Sequence, residues 1–113
     1  MAALEVDQIL GPGYLESVYE EALSVELALR GVGFERQIPV ALSYKRVPIG
    51  HGRLDLLVAD RLIVELKAVE NTQPIHLAQL LSYLKATRRR LGLLINFNVR
   101  WLRQGIRRVV HGG

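Results

Sequence analysis

Asp55, Glu65 and Lys67 are the residues whose types and spacing could do chemistry in this chain. The residues around them, Leu56, Leu57, Val58, Leu62, Ile63, Val64 and Leu66, form strand-like core sequence broken by Ala59, Asp60 and Arg61. Side chains alternate faces along a strand, so Glu65 and Lys67 share one face. A hairpin turning about Asp60 pairs residues whose numbers sum to 120, which sets Asp55 across from Glu65. A slip of one residue would separate them. Two like charges so placed, with Cβ atoms roughly 4.5–5.5 Å apart, destabilise a sheet. Lys67 offsets part of that repulsion, and a hard divalent cation, magnesium or manganese, bridging both carboxylates would offset more. The plain alternative is a salt-bridged Glu65–Lys67 pair near a sheet edge with Asp55 solvated.

The elements that must position these groups follow from periodicity. Leu4–Leu10 reads as the end of a short helix, closed by Gly11-Pro12-Gly13. Tyr14 to Arg30 carries apolar residues at helical spacing, and Gly31 and Gly33 give a stop. Glu26 and Arg30 are spaced to pair on that helix. Phe34–Leu42 and Tyr44–Lys45 read as extended, Arg53–Ala59 and Arg61–Ala68 as the hairpin, and Gly92–Phe97 as a buried strand. Pro74–Arg90 reads as a helix with Pro in its first turn and cations at its end. A last short strand is expected at Ile106–Val110. The order predicts an α/β fold, a mixed sheet flanked by helices.

Two helices offer further polar groups. Glu16 lies at the edge of an apolar face, one turn from Tyr19. His76, Gln79 and Tyr83 form a polar stripe beside Leu77, Leu80, Leu81 and Leu84, as residues lining a cleft would. Taken singly, Gln79 reads equally as a surface amide, Tyr83 as a core tyrosine, and His76 as a hydrogen-bonder at a helix start.

Together, Gly13-Tyr-Leu-Glu16-Ser-Val-Tyr19, Asp55, Glu65-Leu-Lys67 and Gln79-Leu-Leu-Ser-Tyr83 resemble the motifs of the GxxExxY family of the PD-(D/E)XK nuclease superfamily. The resemblance extends to Leu10-Gly-Pro-Gly13, Ala78–Lys85 and Gly92–Phe97, and so covers nearly the whole chain. It implies a restriction-endonuclease-like αβββαβ core. It also implies that Asp55 and Glu65 bind Mg2+ or Mn2+, that Glu16 is an additional acid acting directly or through water, and that Lys67 is the catalytic lysine. Gln79, Tyr83, Tyr19 and His76 would support the site or contact substrate. Leu54 stands where the superfamily's motif begins with Pro, and Asp7 stands where many relatives carry His.

The chain has 113 residues, enough for one two-layer core, so residues 1–113 are expected to form one domain with a shortened N-terminal helix. Having no cysteine, it excludes disulfides, thiolate catalysis and zinc fingers. No apolar run is long enough to span a membrane, and no secretion signal is evident, so a cytoplasmic location is expected. Net charge is +4, and from Ala86 onward seven arginines occur with no acid. Arg88, Arg89, Arg90 and Arg103 are therefore the expected contacts to a DNA or RNA backbone, though a solvated face is the bland reading. The first functional expectation is a metal-dependent phosphodiester hydrolase. Its rivals are a non-catalytic nucleic-acid-binding module, for which Trp101 between Arg100 and Arg103 could stack on a base, and a protein-interaction or oligomerisation module. A homodimer is compatible with all three.

Overall fold

Gly11, whose φ of 68° suits a residue without a side chain, breaks the N-terminal helical sequence in two. Residues 1–112 are described in a computed structural model. Helix α1 spans Ala2–Leu10 and α2 spans Glu16–Leu29. Strands β1 (Phe34–Tyr44), β2 (Val47–Val58) and β3 (Leu62–Lys67) follow, then α3 (Pro74–Thr87), β4 (Leu91–Asn96), the short α4 (Leu102–Gly105) and β5 (Ile106–Val110). The sheet runs β1-β2-β3-β4-β5. Only β3 and β4 are parallel, because α3 carries the chain back across the sheet between them. The expected αβββαβ core is present, with helices on a mixed sheet. Among the described residues, no helix is long and apolar enough to cross a membrane.

The β2–β3 turn has the anticipated register. Val58, Leu57 and Leu56 pair with Leu62, Ile63 and Val64. Ala59 and Asp60 both take positive φ, 53° and 55°, and the Arg61 N–H donates to the Val58 carbonyl at 3.1 Å. That is the geometry a tight hairpin turn with two left-handed residues requires.

Apolar residues on the two sheet faces form two cores. Leu56, Val64, Leu66, Ile95 and Phe97 pack with Tyr19, Leu23 and Leu27 of α2. Val40, Leu54, Leu57, Ile63 and Leu94 pack with Leu80 and Leu84 of α3. Leu54 and Leu56 should share a face, since strand side chains alternate, yet they lie in opposite cores. The same switch occurs on β1, where Phe34 joins the α2 side while Ile38 and Val40 join the α3 side. Both strands change face where Gln37 should pair with Asp55, a pair missing from the ladder, and Gln37 has φ of 51°. The site is built at this defect.

Two boundaries and one element depart from expectation. Strand β2 begins at Val47 rather than Arg53, although Pro48, Gly50 and Gly52 look like breakers. That stretch pairs only with β1, so it has a free edge where proline is tolerated. Gly52 makes room for the Tyr83 ring, which a Cβ there would push aside. Helix α3 stops at Thr87, short of Arg90, where Arg88 turns left-handed with φ of 56°. The single turn of α4 was not anticipated.

Candidate active site

At the open end of the β2–β3 ladder, two carboxylates replace the backbone pairing. The Asp55 N–H donates to Glu65 Oε1 at 3.3 Å, and the Leu66 N–H donates to Asp55 Oδ2 at 2.8 Å. Alternation from Leu57 and Leu56 gives the Asp55 side chain this position across from Glu65, and the face switch begins beyond it, at Leu54. Glu65 is only 6% exposed. Burial, then the nearby charge of Asp55, pushes its carboxyl up to about 8, and Lys67 pulls it back only weakly. Among the described residues, Lys67 makes no ion pair with either acid, so the simple Glu65–Lys67 salt bridge does not form.

A cleft of about 570 Å³ gathers Asp55, Glu65 and Lys67 with Gln79 and Tyr83 of α3 and with His51, Gly52 and Arg53 of β2. Gln79 Nε2 donates to the Tyr83 hydroxyl at 3.3 Å, so one turn of α3 presents a linked amide and phenol. Their i, i+4 spacing was the signal for this stripe. Tyr83 can lie against the strand because Gly52 leaves room. Arg53, which sequence reasoning missed, is the only arginine among the described residues lining this cleft. Its place two residues before Asp55 was the available signal.

The other expected site residues fall elsewhere. Glu16, exposed at the start of α2, lines a second hollow of about 420 Å³ on the α2 side, with Gln37, Arg53 and Asp55. Asp55 and Arg53 thus belong to both hollows, while Glu65 and Lys67 belong to the α3 side. Tyr19 is fully buried and stacks on Phe97 at a centroid distance of 4.5 Å. Its hydroxyl donates to the Gly11 carbonyl at 2.6 Å and accepts from the Tyr14 N–H at 3.2 Å. It therefore fixes the Gly11–Tyr14 turn that leads into Glu16. His76 Nδ1 accepts the Gln73 N–H at 3.0 Å, closing a capping box at the start of α3. Glu26 and Arg30 pair at 2.8 Å, as their spacing predicts.

The arginines divide into separate surfaces. Arg89 pairs with Asp60 at 2.9 Å. Arg89 and Arg90 share a hollow with Arg61 and Arg108 at the end of the sheet where β3 begins, away from Lys67. Arg88 caps α3, and Arg103 lines another hollow with Asp7 and Trp101. None of the four lines the cleft that holds Glu65.

Among the described residues, no three His, Asp or Glu side chains stand together as a ready metal site. The Asp55–Glu65 pair nevertheless fits a hard cation. Two carboxylates face each other, and the buried one, without an ionic partner among the described residues, has its charged form disfavoured until a positive charge arrives. No curated protein and no solved structure matches the chain. The model of one family, the PD-(D/E)XK nuclease superfamily, matches residues 1–109. With the αβββαβ core and the acidic pair at the mouth of its central hairpin, this match makes the chain a member of the PD-(D/E)XK nuclease superfamily.

Proposed function

We propose that the protein is a magnesium- or manganese-dependent nuclease of the GxxExxY type that hydrolyses phosphodiester bonds of DNA or RNA. The observation that carries this reading is the buried, ion-pair-free Glu65 carboxyl against Asp55 at the ladder's end. Leaving such a group buried is costly unless function needs it. Asp55 and Glu65 would hold the cation, which supplies neutralisation of the phosphate and a more acidic water. Lys67, on the same strand face as Glu65, orients the attacking water and steadies the charge that grows on the phosphate oxygens. Asp55 is held in place by the Leu66 N–H. Gln79, Tyr83 and Arg53 position the phosphodiester along the cleft, and Glu16, which shares a hollow with Asp55, would add negative charge toward the cation from the α2 side. The arginine surfaces at Arg88–Arg90 and Arg103 add long-range attraction for the polyanion.

Cleavage of labelled DNA and RNA strands with magnesium, manganese or chelator tests this. Parent protein is expected to cut only with metal, and Asp55→Ala, Glu65→Ala and Lys67→Ala are each expected to stop it. Equal cleavage by all four proteins refutes the proposal. The separation of Glu16 from Glu65, which line different hollows, favours one rival, a module that binds nucleic acid without cutting it. Salt-sensitive binding with no metal-dependent turnover would establish that rival.

A further inference from the structure

The β1–β2 hairpin outgrows the sheet. Strand β3 pairs only as far along β2 as Leu56, whereas β1 and β2 continue together to Tyr44 and Val47. The residues nearest the sheet, Ile38, Val40 and Leu54, rest on α3. From Ser43 to His51 every residue is exposed, and the molecule is correspondingly long, 46 × 31 × 27 Å. At about 3.3 Å per residue, this free part is a two-stranded arm on the order of 10 Å long.

The arm's tip is chemically unusual. Lys45 and Arg46 form its two-residue turn with φ of 49° and 68°. A turn with two left-handed residues favours Asn-Gly, so two long cations there are held against backbone preference. No acid occurs between Gln37 and Leu54, a stretch that holds Lys45, Arg46, His51 and Arg53, whereas Arg36 just before it is paired with Glu20 and Glu21 of α2. Tyr44, Val47 and Ile49 are 63%, 60% and 64% exposed beside the tip. The arm's inner end, at His51 to Arg53, lines the cleft that holds Glu65.

We propose that this arm is a duplex-DNA reader, a β-ribbon that enters the major groove beside the cleft while Lys45 and Arg46 contact backbone phosphates. This rests on the nuclease reading and names its substrate as double-stranded B-form DNA. The major groove of B-DNA admits a two-stranded ribbon, and that of A-form RNA is too deep and narrow. The basic, acid-free sequence complements the phosphates, and the exposed apolar residues suit thymine methyls and sugar edges.

Fluorescence anisotropy in chelator, where no turnover competes, tests the arm on a DNA duplex, its single strand and an RNA duplex of the same sequence. The double substitution Lys45→Asn with Arg46→Gly installs the preferred turn, so the variant is expected to melt at or above the parent's temperature. Its affinity for the DNA duplex is expected to fall about tenfold at low salt. The slope of log affinity against log salt should shrink by roughly 2, about one unit for each phosphate that the two removed cations neutralise. Affinity for the single strand and for RNA duplex should change less than about twofold. Unchanged duplex affinity and slope would overturn the proposal, and so would equal losses on all three ligands. Because the readout is binding without metal, loss of cleavage in the Asp55, Glu65 and Lys67 variants bears on the nuclease reading, and the arm variant bears on the arm.

Discussion

Asp60 and Glu65 stand five residues apart on one hairpin, and the protein treats their charges in opposite ways. The Asp60 side chain is 86% exposed and pairs with Arg89. Such a surface pair costs little to form and contributes about 0–1 kcal/mol. Glu65 is buried, has Asp55 as its neighbour, and pairs with no cation among the described residues. Its charged form is disfavoured, so the site takes up a proton in place of a counter-ion. A fold able to neutralise an acid at one end of β3 leaves one uncompensated at the other. The uncompensated end is where an external cation has something to gain.

Substitutions can break this contrast, and the largest effect belongs to the acidic end. Asp55→Asn, which keeps an acceptor for the Leu66 N–H, or Lys67→Ala is expected to lower metal-dependent cleavage by at least about a hundredfold with little change in melting temperature, as read by gel assay and calorimetry. Glu65→Gln should abolish cleavage equally yet leave a metal-free protein more stable than the parent at pH 8. The sign follows from linkage. A carboxyl whose folded value lies near 8 binds its proton more tightly when folded, so its stabilisation is complete below about 4.5 and is lost as pH rises towards 8. The parent's melting temperature should therefore fall across that range without metal, and that of Glu65→Gln should fall less.

Smaller effects sharpen the comparison. Gly52→Ala should cost about 1–3 kcal/mol in denaturant titration and weaken cleavage, since the new methyl displaces Tyr83 from the cleft. Tyr19→Phe, which removes the hydroxyl bonded to Gly11 and Tyr14, should cost about 1–2 kcal/mol. Asp60→Asn keeps a residue that tolerates left-handed backbone and loses only a surface pair. Its stability should stay within about 0.5 kcal/mol of the parent's, with cleavage unchanged.

Local rules made much of this legible beforehand. The hairpin register followed from alternation and a central turn, so Asp55 and Glu65 could be set face to face from sequence. Helical spacing likewise brought Gln79 and Tyr83 to one stripe. Long-range packing hid the rest. Nothing in the one-dimensional pattern announced that β1 and β2 change face together at Gln37 and Asp55, so that Asp55 borders the hollow holding Glu16 as well as the cleft holding Glu65. The arm was hidden because Pro48, Gly50 and Gly52 look like loop residues, and only the free edge and the Tyr83 ring explain them. The arginines from Arg88 to Arg103 form one charge run in sequence, but β4 and α4 distribute them over separate surfaces.

The central claim is that the Asp55–Glu65 pair exchanges a proton for a divalent cation. Calorimetric titration of manganese and magnesium into parent and Glu65→Gln protein at pH 6 and pH 8 tests it most directly. The predicted result is binding by the parent that tightens at least about tenfold from pH 6 to pH 8, with proton release, and is absent from Glu65→Gln. Binding of equal strength in both proteins, or no binding by the parent at pH 8, would contradict it.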